Sequence, residues 1–220
     1  IGSKKLLQPV SVISEAKVSN NNEAILCLSD WHYGIEIDNA LNKYNPVIAK
    51  KRISKLRDKV IKNCIKNDVH KLYVLNLADL IAGRIHLQLR LDSRIDVISQ
   101  IMQVSEILAE LLTDLAQYFQ IEYYSCIDNH SRLEPNKKES IDLESLCRIT
   151  DWYLKERLDS KIHINENKFG EDIITFTCKG HRIAATHGDS DSPTSVSTSL
   201  SRLTHTIYDM VLMAHRHHFA

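Results

Sequence analysis

The sequence predicts an α/β protein, on three observations. Short apolar runs of β character alternate with longer segments whose apolar residues recur at helical spacing. Five of these runs stop at or just before a residue able to ligate a metal. The chain has 220 residues, enough for one domain, with or without a small insert, and for a sizeable core.

Taken in order, residues 1–23 mix lysine, serine and an Asn20-Asn21-Asn22 run around the short apolar patch Val10–Ile13, and read as a loose lead-in. The folded domain is expected over residues 24–220. Ala24–Leu28 is a buried strand leading into Ser29-Asp30-Trp31-His32-Tyr33-Gly34. Residues 45–67 space Val47, Ile48, Ile53, Leu56, Val60, Ile61, Cys64 and Ile65 as a helix. Its other face carries eight Lys and Arg residues between Lys50 and Lys66 against only Asp58. That face is either simply solvated or a track for a phosphate backbone.

The strand Leu72–Leu77 ends near Asp79, and Leu80–Leu91 forms a loop or short helix. A long helix is expected from about Asp92 to Tyr118, burying Ile95, Ile98, Ile101, Met102, Ile107, Leu108, Leu111, Leu112 and Leu115. The strand Ile121–Ile127 precedes Asp128-Asn129-His130; a polar loop follows, and then a third helix from Glu139 to Leu158. Strands are expected over 161–165, 172–178 and 182–186, the last ending at His187. A short helix is expected around 197–205, and a strand over 208–213 delivers Ala214-His215-Arg216-His217. No repeat or long linker divides the chain.

Side chains two apart on a strand share a face, so Asp30 and His32 make a half-site for a metal. In open sheets ligands gather outside the carboxyl ends of strands, where groups far apart in sequence converge. The five strand ends together offer Asp, His, Asp, Asn, His, His and His. Any one of these motifs alone would read as a turn or a capped strand. Five in this order point to a metal centre.

In that order the chain resembles the calcineurin-like metallophosphoesterases, whose signature runs Asp-x-His, Gly-Asp, Gly-Asn-His, His and Gly-His-x-His, each element at a strand end. The likeness spans Asp30 to His217. It departs at three glycines: Ala78, Asp128 and Ala214 stand in their places. Alanine is a mild replacement where φ stays negative, whereas Asp128 adds a carboxylate beside the site. The resemblance implies a four-layer α/β/β/α sandwich, its second sheet completed beyond the end of this sequence. It also implies two divalent cations, Mn²⁺ foremost with Fe or Zn²⁺ as substitutes, roughly 3.5–4 Å apart. Matched motif to motif, Asp30, His32 and His217 would hold the first cation, Asn129, His187 and His215 the second, and Asp79 would bridge them.

By the same resemblance His130 is the general acid, a task its pKa range permits. Many relatives orient this imidazole with an Asp three residues after the bridging one. Ala82 stands there, which leaves Asp128 or a backbone carbonyl for that role. Arg84 and Arg132 each lie just beyond a ligand, and a guanidinium matches a phosphate edge; the alternative for each is a surface arginine paired with Asp128 or Glu134. His86, His181, His205 and His218 read as ordinary polar histidines.

Lys and Arg (28) balance Asp and Glu (28), so global charge demands neither nucleic acid nor an anionic membrane. The five cysteines show no C-x-x-C spacing and read as core residues of a reducing compartment. No apolar run approaches the ~18 residues of a membrane span and no signal peptide is evident, so a cytoplasmic protein is expected, its oligomeric state open. The expected activity is hydrolysis of a phosphodiester, in nucleic acid as in the repair nucleases of this superfamily, by in-line attack of a metal-bridging hydroxide. A phosphomonoesterase, a cyclic-nucleotide phosphodiesterase and a non-catalytic phosphoesterase-like subunit are the alternatives.

Overall fold

A computed structural model describes residues 22–217, and most of the expected lead-in lies outside them. The described residues begin at Asn22, two residues before the expected start of the domain. Asn22 and Glu23 already pair with the next strand of the sheet, across a bulge.

Four strands form a parallel sheet in the order β1 (Asn22–Leu28), β4 (Val69–Asn76), β5 (Gln120–Ser125), β6 (Ile162–Ile164). The short hairpin β2 (Ile37–Asp38) and β3 (Lys43–Tyr44) stands apart. A three-stranded sheet joins β7 (Ile174–Cys178) antiparallel to β8 (His181–Thr186), and β8 parallel to β9 (Met210–Met213). As the end strand of its sheet, β1 is only half-buried, and Leu28 alone of the expected buried strand is fully covered.

Helix α1 (Pro46–Lys66) starts where expected because Asn45 caps it, its side chain accepting from Ile48 N at 3.0 Å, with Pro46 in the first turn. The expected loop or short helix over 80–91 contains α2 (Leu87–Asp92), which ends at an extended Ser93, and the long helix α3 (Val97–Ala116) starts later than expected, capped by Asp96, whose carboxylate accepts from Ser99 N. The expected stripe of α3 is buried at Ile101, Ile107, Leu108, Leu111, Leu112 and Leu115, but Ile98 and Met102 are exposed, while Gln100, Val104 and Ser105 face inward. The expected helix 139–158 shortens to α4 (Cys147–Arg157) behind a 3-10 turn at Asp142–Glu144, since Leu146 N bonds Ser131 O instead. α5 covers Val196–Thr204.

Strand alternation divides the apolar residues between separate cores. Leu72, Val74, Ile121 and Tyr123 pack with α1, α3 and α4. Tyr73, Leu75 and Leu77 face the other way, against Ile174, Ile183 and Ala185 of the second sheet. Ala184 points outward from there onto Val196 and Leu200 of α5. Four of the five free cysteines are buried, as expected of core residues, and Cys27 on β1 is exposed. No helix among the described residues is long and apolar enough to cross a membrane.

Candidate metal centre

The parallel ladders bring the carboxyl ends of β1, β4 and β5 to one edge, and β8 and β9 end together in the second sheet. The loops after them are laced by backbone hydrogen bonds. Asp30 N reaches Ala78 O at 3.0 Å, His32 N reaches Asp79 O at 3.0 Å, and Ala214 N reaches His187 O at 3.0 Å. These bonds hold the strand-end residues in register with one another.

All seven expected ligands converge. Nε2 of His217 lies 3.1 Å from Asp30 Oδ1 and 3.3 Å from His32 Nε2. Nε2 of His187 lies 3.2 Å from Asp79 Oδ2, 3.1 Å from Asn129 Oδ1 and 3.1 Å from His215 Nδ1. Asp30, His32 and His217 thus form one trio able to hold an ion, and Asp79, His187 and His215 another. Asp79 and His187 are buried, whereas His217 is exposed, so the first trio lies nearer solvent.

The donor chemistry fits cations. His187 Nδ1 lies 2.8 Å from Leu77 O, an atom that can only accept, so Nδ1 carries a proton. Unless doubly protonated, the ring therefore aims the lone pair of Nε2 at a carboxylate oxygen, an amide oxygen and another imidazole. A cation among these atoms would be held by all of them at once. In the first trio, Asp30 Oδ1 meets only His217 Nε2, at 3.1 Å, and His32 Nδ1 is buried without a hydrogen-bond partner. Without metal, protons take the cations' place. Burial works against charge on His187, yet the hydrogen bond and charge of Asp79, with Asp128 behind, push it up to about 9. His32 goes the other way: burial lowers it to about 4, Asp79 opposing and His130 reinforcing.

Six residues of the site hold left-handed backbone: Asp30, His32, Ala78, Asp79, His215 and His217. Such conformations cost non-glycine residues roughly 1–2 kcal/mol each and cluster at functional sites. Ala78, at φ +66°, corrects the reading of alanine as a mild stand-in for glycine there. Ala214 has no such conformation, but the His215 after it does. The turn at Ala78 is supported by Asn76, whose Oδ1 accepts from Ala78 N at 3.0 Å.

His130 stands beside both trios. Its Nδ1 lies 2.8 Å from Ala82 O, so a backbone carbonyl orients it, at the very residue where the resembled family has Asp. Its Nε2 is 3.8 Å from Asp79 Oδ2, and with His32 and Asp79 it makes a third trio of metal-capable atoms. Asp128 has another task. Its Oδ2 accepts from Asp79 N at 2.7 Å and its Oδ1 from Ser131 N at 2.5 Å.

Arg84 is exposed and makes no ion pair among the described residues. Arg132 donates Nε–H to Asn129 O at 3.1 Å, and its Nη1 is buried without a partner; neither Asp128 nor Glu134 pairs with it. His86, read as an ordinary polar histidine, lies 5.3 Å from the His130 ring, centroid to centroid. His181 and His205 are exposed, away from the centre, and His218 lies outside the described residues.

Two residues that shape the site were missed. Gln100, buried in α3, accepts from Gly83 N at 3.0 Å and packs against Gly34, tying the first two motif loops together. Asn76, at the end of β4, donates to the Tyr123 hydroxyl of β5 at 3.0 Å and accepts from Ala78 N. The available signal was a polar residue inside an otherwise apolar stripe.

No family model matches the chain. It is similar to the SPbeta prophage-derived uncharacterized protein YonJ of Bacillus subtilis (strain 168), at 26% identity over 220 residues, which covers 96% of this chain and 54% of that protein. The chain therefore spans about half the length of the curated relative it matches.

Proposed function

We propose that the protein is a dimetal phosphodiester hydrolase of the calcineurin-like metallophosphoesterase type, acting on nucleic acid and using Mn²⁺, with Fe or Zn²⁺ as substitutes. The observation that carries the reading is the crowding of acceptor atoms around His187 Nε2, which links Asp79, Asn129 and His215. Helices on one face of the parallel sheet, the second sheet on the other and α5 outside that sheet support the α/β/β/α sandwich of this superfamily.

Two divalent cations, when bound, would draw the phosphoryl oxygens and favour in-line displacement by water. Asp30, His32 and His217 would hold one cation, Asn129, His187 and His215 the other, and Asp79 would serve both. His130, oriented through Nδ1 by Ala82 O, keeps Nε2 free to carry a proton to the leaving oxygen. Arg132, with an unpartnered Nη1, and exposed Arg84 are the candidate phosphate-binding cations. The basic face of α1, where Lys50, Lys51, Lys55, Lys59 and Lys62 are exposed, favours a polyanionic substrate.

The test is metal-stripped protein reloaded with Mn²⁺ and assayed side by side on bis-p-nitrophenyl phosphate, p-nitrophenyl phosphate, and labelled single- and double-stranded DNA. Diester and DNA turnover that disappears in Asp79→Asn is expected. Preference for the monoester would make the protein a phosphomonoesterase, and no hydrolysis with any metal would make it a non-catalytic phosphoesterase-like subunit.

A further inference from the structure

Beside the first trio opens a cavity of about 810 Å³, with Asp30, His32, His130 and His217 among its lining residues. Its walls are apolar and aromatic: Trp31, Ile35, Tyr44, Ile53, Leu56 and Leu89. One wall is built rigidly. The Tyr44 hydroxyl donates to the Trp31 carbonyl, and the Arg52 guanidinium lies over the Tyr44 ring, 5.3 Å from its centroid. Arg52 also donates to Lys43 O at 3.2 Å. Asn42 adds an amide donor and acceptor to the lining, and Gln88, whose Nε2 donates to Asp92, adds an amide oxygen.

From this we infer that the cavity seats the nucleoside on the leaving-group side of the scissile phosphate, an inference that rests on the phosphodiesterase reading. A metal centre and a proton donor need no apolar chamber of this size; a flat heteroaromatic ring does. Aromatic and guanidinium planes stack on bases, and the amides offer hydrogen bonds to base edges, which an alkyl chain would leave unmade. The leaving side is indicated by His130. In hydrolysis a water oxygen forms the new P–O bond and its proton passes to solvent. The P–O bond to the nucleoside breaks with its electron pair on the nucleoside oxygen, which takes the proton from His130 Nε2. The group carried by that oxygen is then the one nearest the cavity that His130 lines.

The experiment compares three esters of adenosine monophosphate with Mn²⁺-loaded full chain: the adenosine, methyl and octyl esters. The adenosine ester should exceed the methyl ester at least tenfold in kcat/KM, and Leu56→Trp, which fills the cavity, should bring that ratio near one. Equal ratios in the unsubstituted protein, an unchanged preference in Leu56→Trp, or preference for the octyl ester would overturn the inference. A second measurement does not depend on hydrolysis. The chain has two tryptophans, so Trp152→Phe leaves Trp31 as the reporter. Adenosine added to this metal-free variant should quench its emission saturably, and less when it also carries Leu56→Phe, which narrows the cavity without adding a tryptophan. Saturable quenching without cleavage of any ester would uphold the nucleoside pocket and sink the hydrolase reading. Absence of both would sink both.

Discussion

The backbone N–H of Asp79 donates to the carboxylate of Asp128 across 2.7 Å. The residue that departs from the resembled family's Gly-Asn-His pattern is thereby a strut for the proposed bridging ligand. Its other oxygen holds Ser131 N, so both oxygens accept from the backbone. Asp128→Asn, though isosteric, turns an amide NH₂ toward one of those N–H groups. A buried donor left unpaired costs about 1–3 kcal/mol, and supports behind a ligand are worth roughly 10–100-fold in metal affinity. Denaturant unfolding and Mn²⁺ titration calorimetry should both show the loss.

Ala78 predicts the opposite kind of effect. Its left-handed backbone, at φ +66°, costs an alanine roughly 1–2 kcal/mol that glycine escapes. Against this stand about 0.8 kcal/mol for one buried methyl and a looser unfolded chain. Ala78→Gly should therefore leave the unfolding midpoint unchanged or raised. Ala109→Gly, in the buried interior of α3, should fall by about 1–2 kcal/mol. Equal losses at the two positions would refute the account of the strain.

Gly83 sits at φ +71°, and a Cβ there would meet His130 O at 2.0 Å. Both neighbours are backbone, so neither the loop after Asp79 nor the one around His130 can yield without moving the site. Gly83→Ala should cost about 3 kcal/mol or more and abolish Mn²⁺ retention. Metal analysis and thermal melts check both.

His130 and His187 should separate cleanly. If His130 is the proposed general acid, His130→Ala is expected to cut the proposed diester turnover by roughly 10²–10⁴-fold and leave metal content equal to that of the unsubstituted protein. His187→Ala should lose metal together with activity. Because His130 also belongs to a metal-capable trio, loss of an ion in His130→Ala would reassign it as a ligand.

Away from the centre, half-buried Asp151 has Oδ2 on the Ser125 hydroxyl at 2.7 Å and a buried Oδ1 without a hydrogen-bond partner. Burial pushes its carboxyl up to about 6, the bond from Ser125 partly opposing. A carboxyl raised in the folded state stabilises fully below its unfolded pKa near 4, and that contribution is lost as pH rises through about 6. Asp151→Asn keeps an acceptor for Ser125 and carries no charge. It should gain up to about 3 kcal/mol over the unsubstituted protein at pH 7 and nothing at pH 4, as read from urea midpoints.

The order of the metal-capable residues, from Asp30 through His217, could be read in the chain because each follows an apolar strand run, and strand ends of a sheet collect at one edge. Helix α1 was legible for a similar reason: Asn45 and Pro46 announce its start within the local sequence. Periodicity was a poorer guide to which face of α3 turns inward. Ile98 and Met102 are as apolar as Ile101 and Leu108, and only packing against the parallel sheet and α4 chose between them.

The residues therefore determined by themselves which side chains could bind metal and in what order the strands present them. Tertiary structure alone decided the sign of φ at Ala78, the strut from Asp128 to Asp79, the carbonyl of Ala82 that orients His130, and the chamber walled by Trp31 and Tyr44. The physical reason is one of range. Ligand type and strand period are local properties, whereas a hydrogen bond across 49 residues or a cavity between separate elements exists only once distant loops meet.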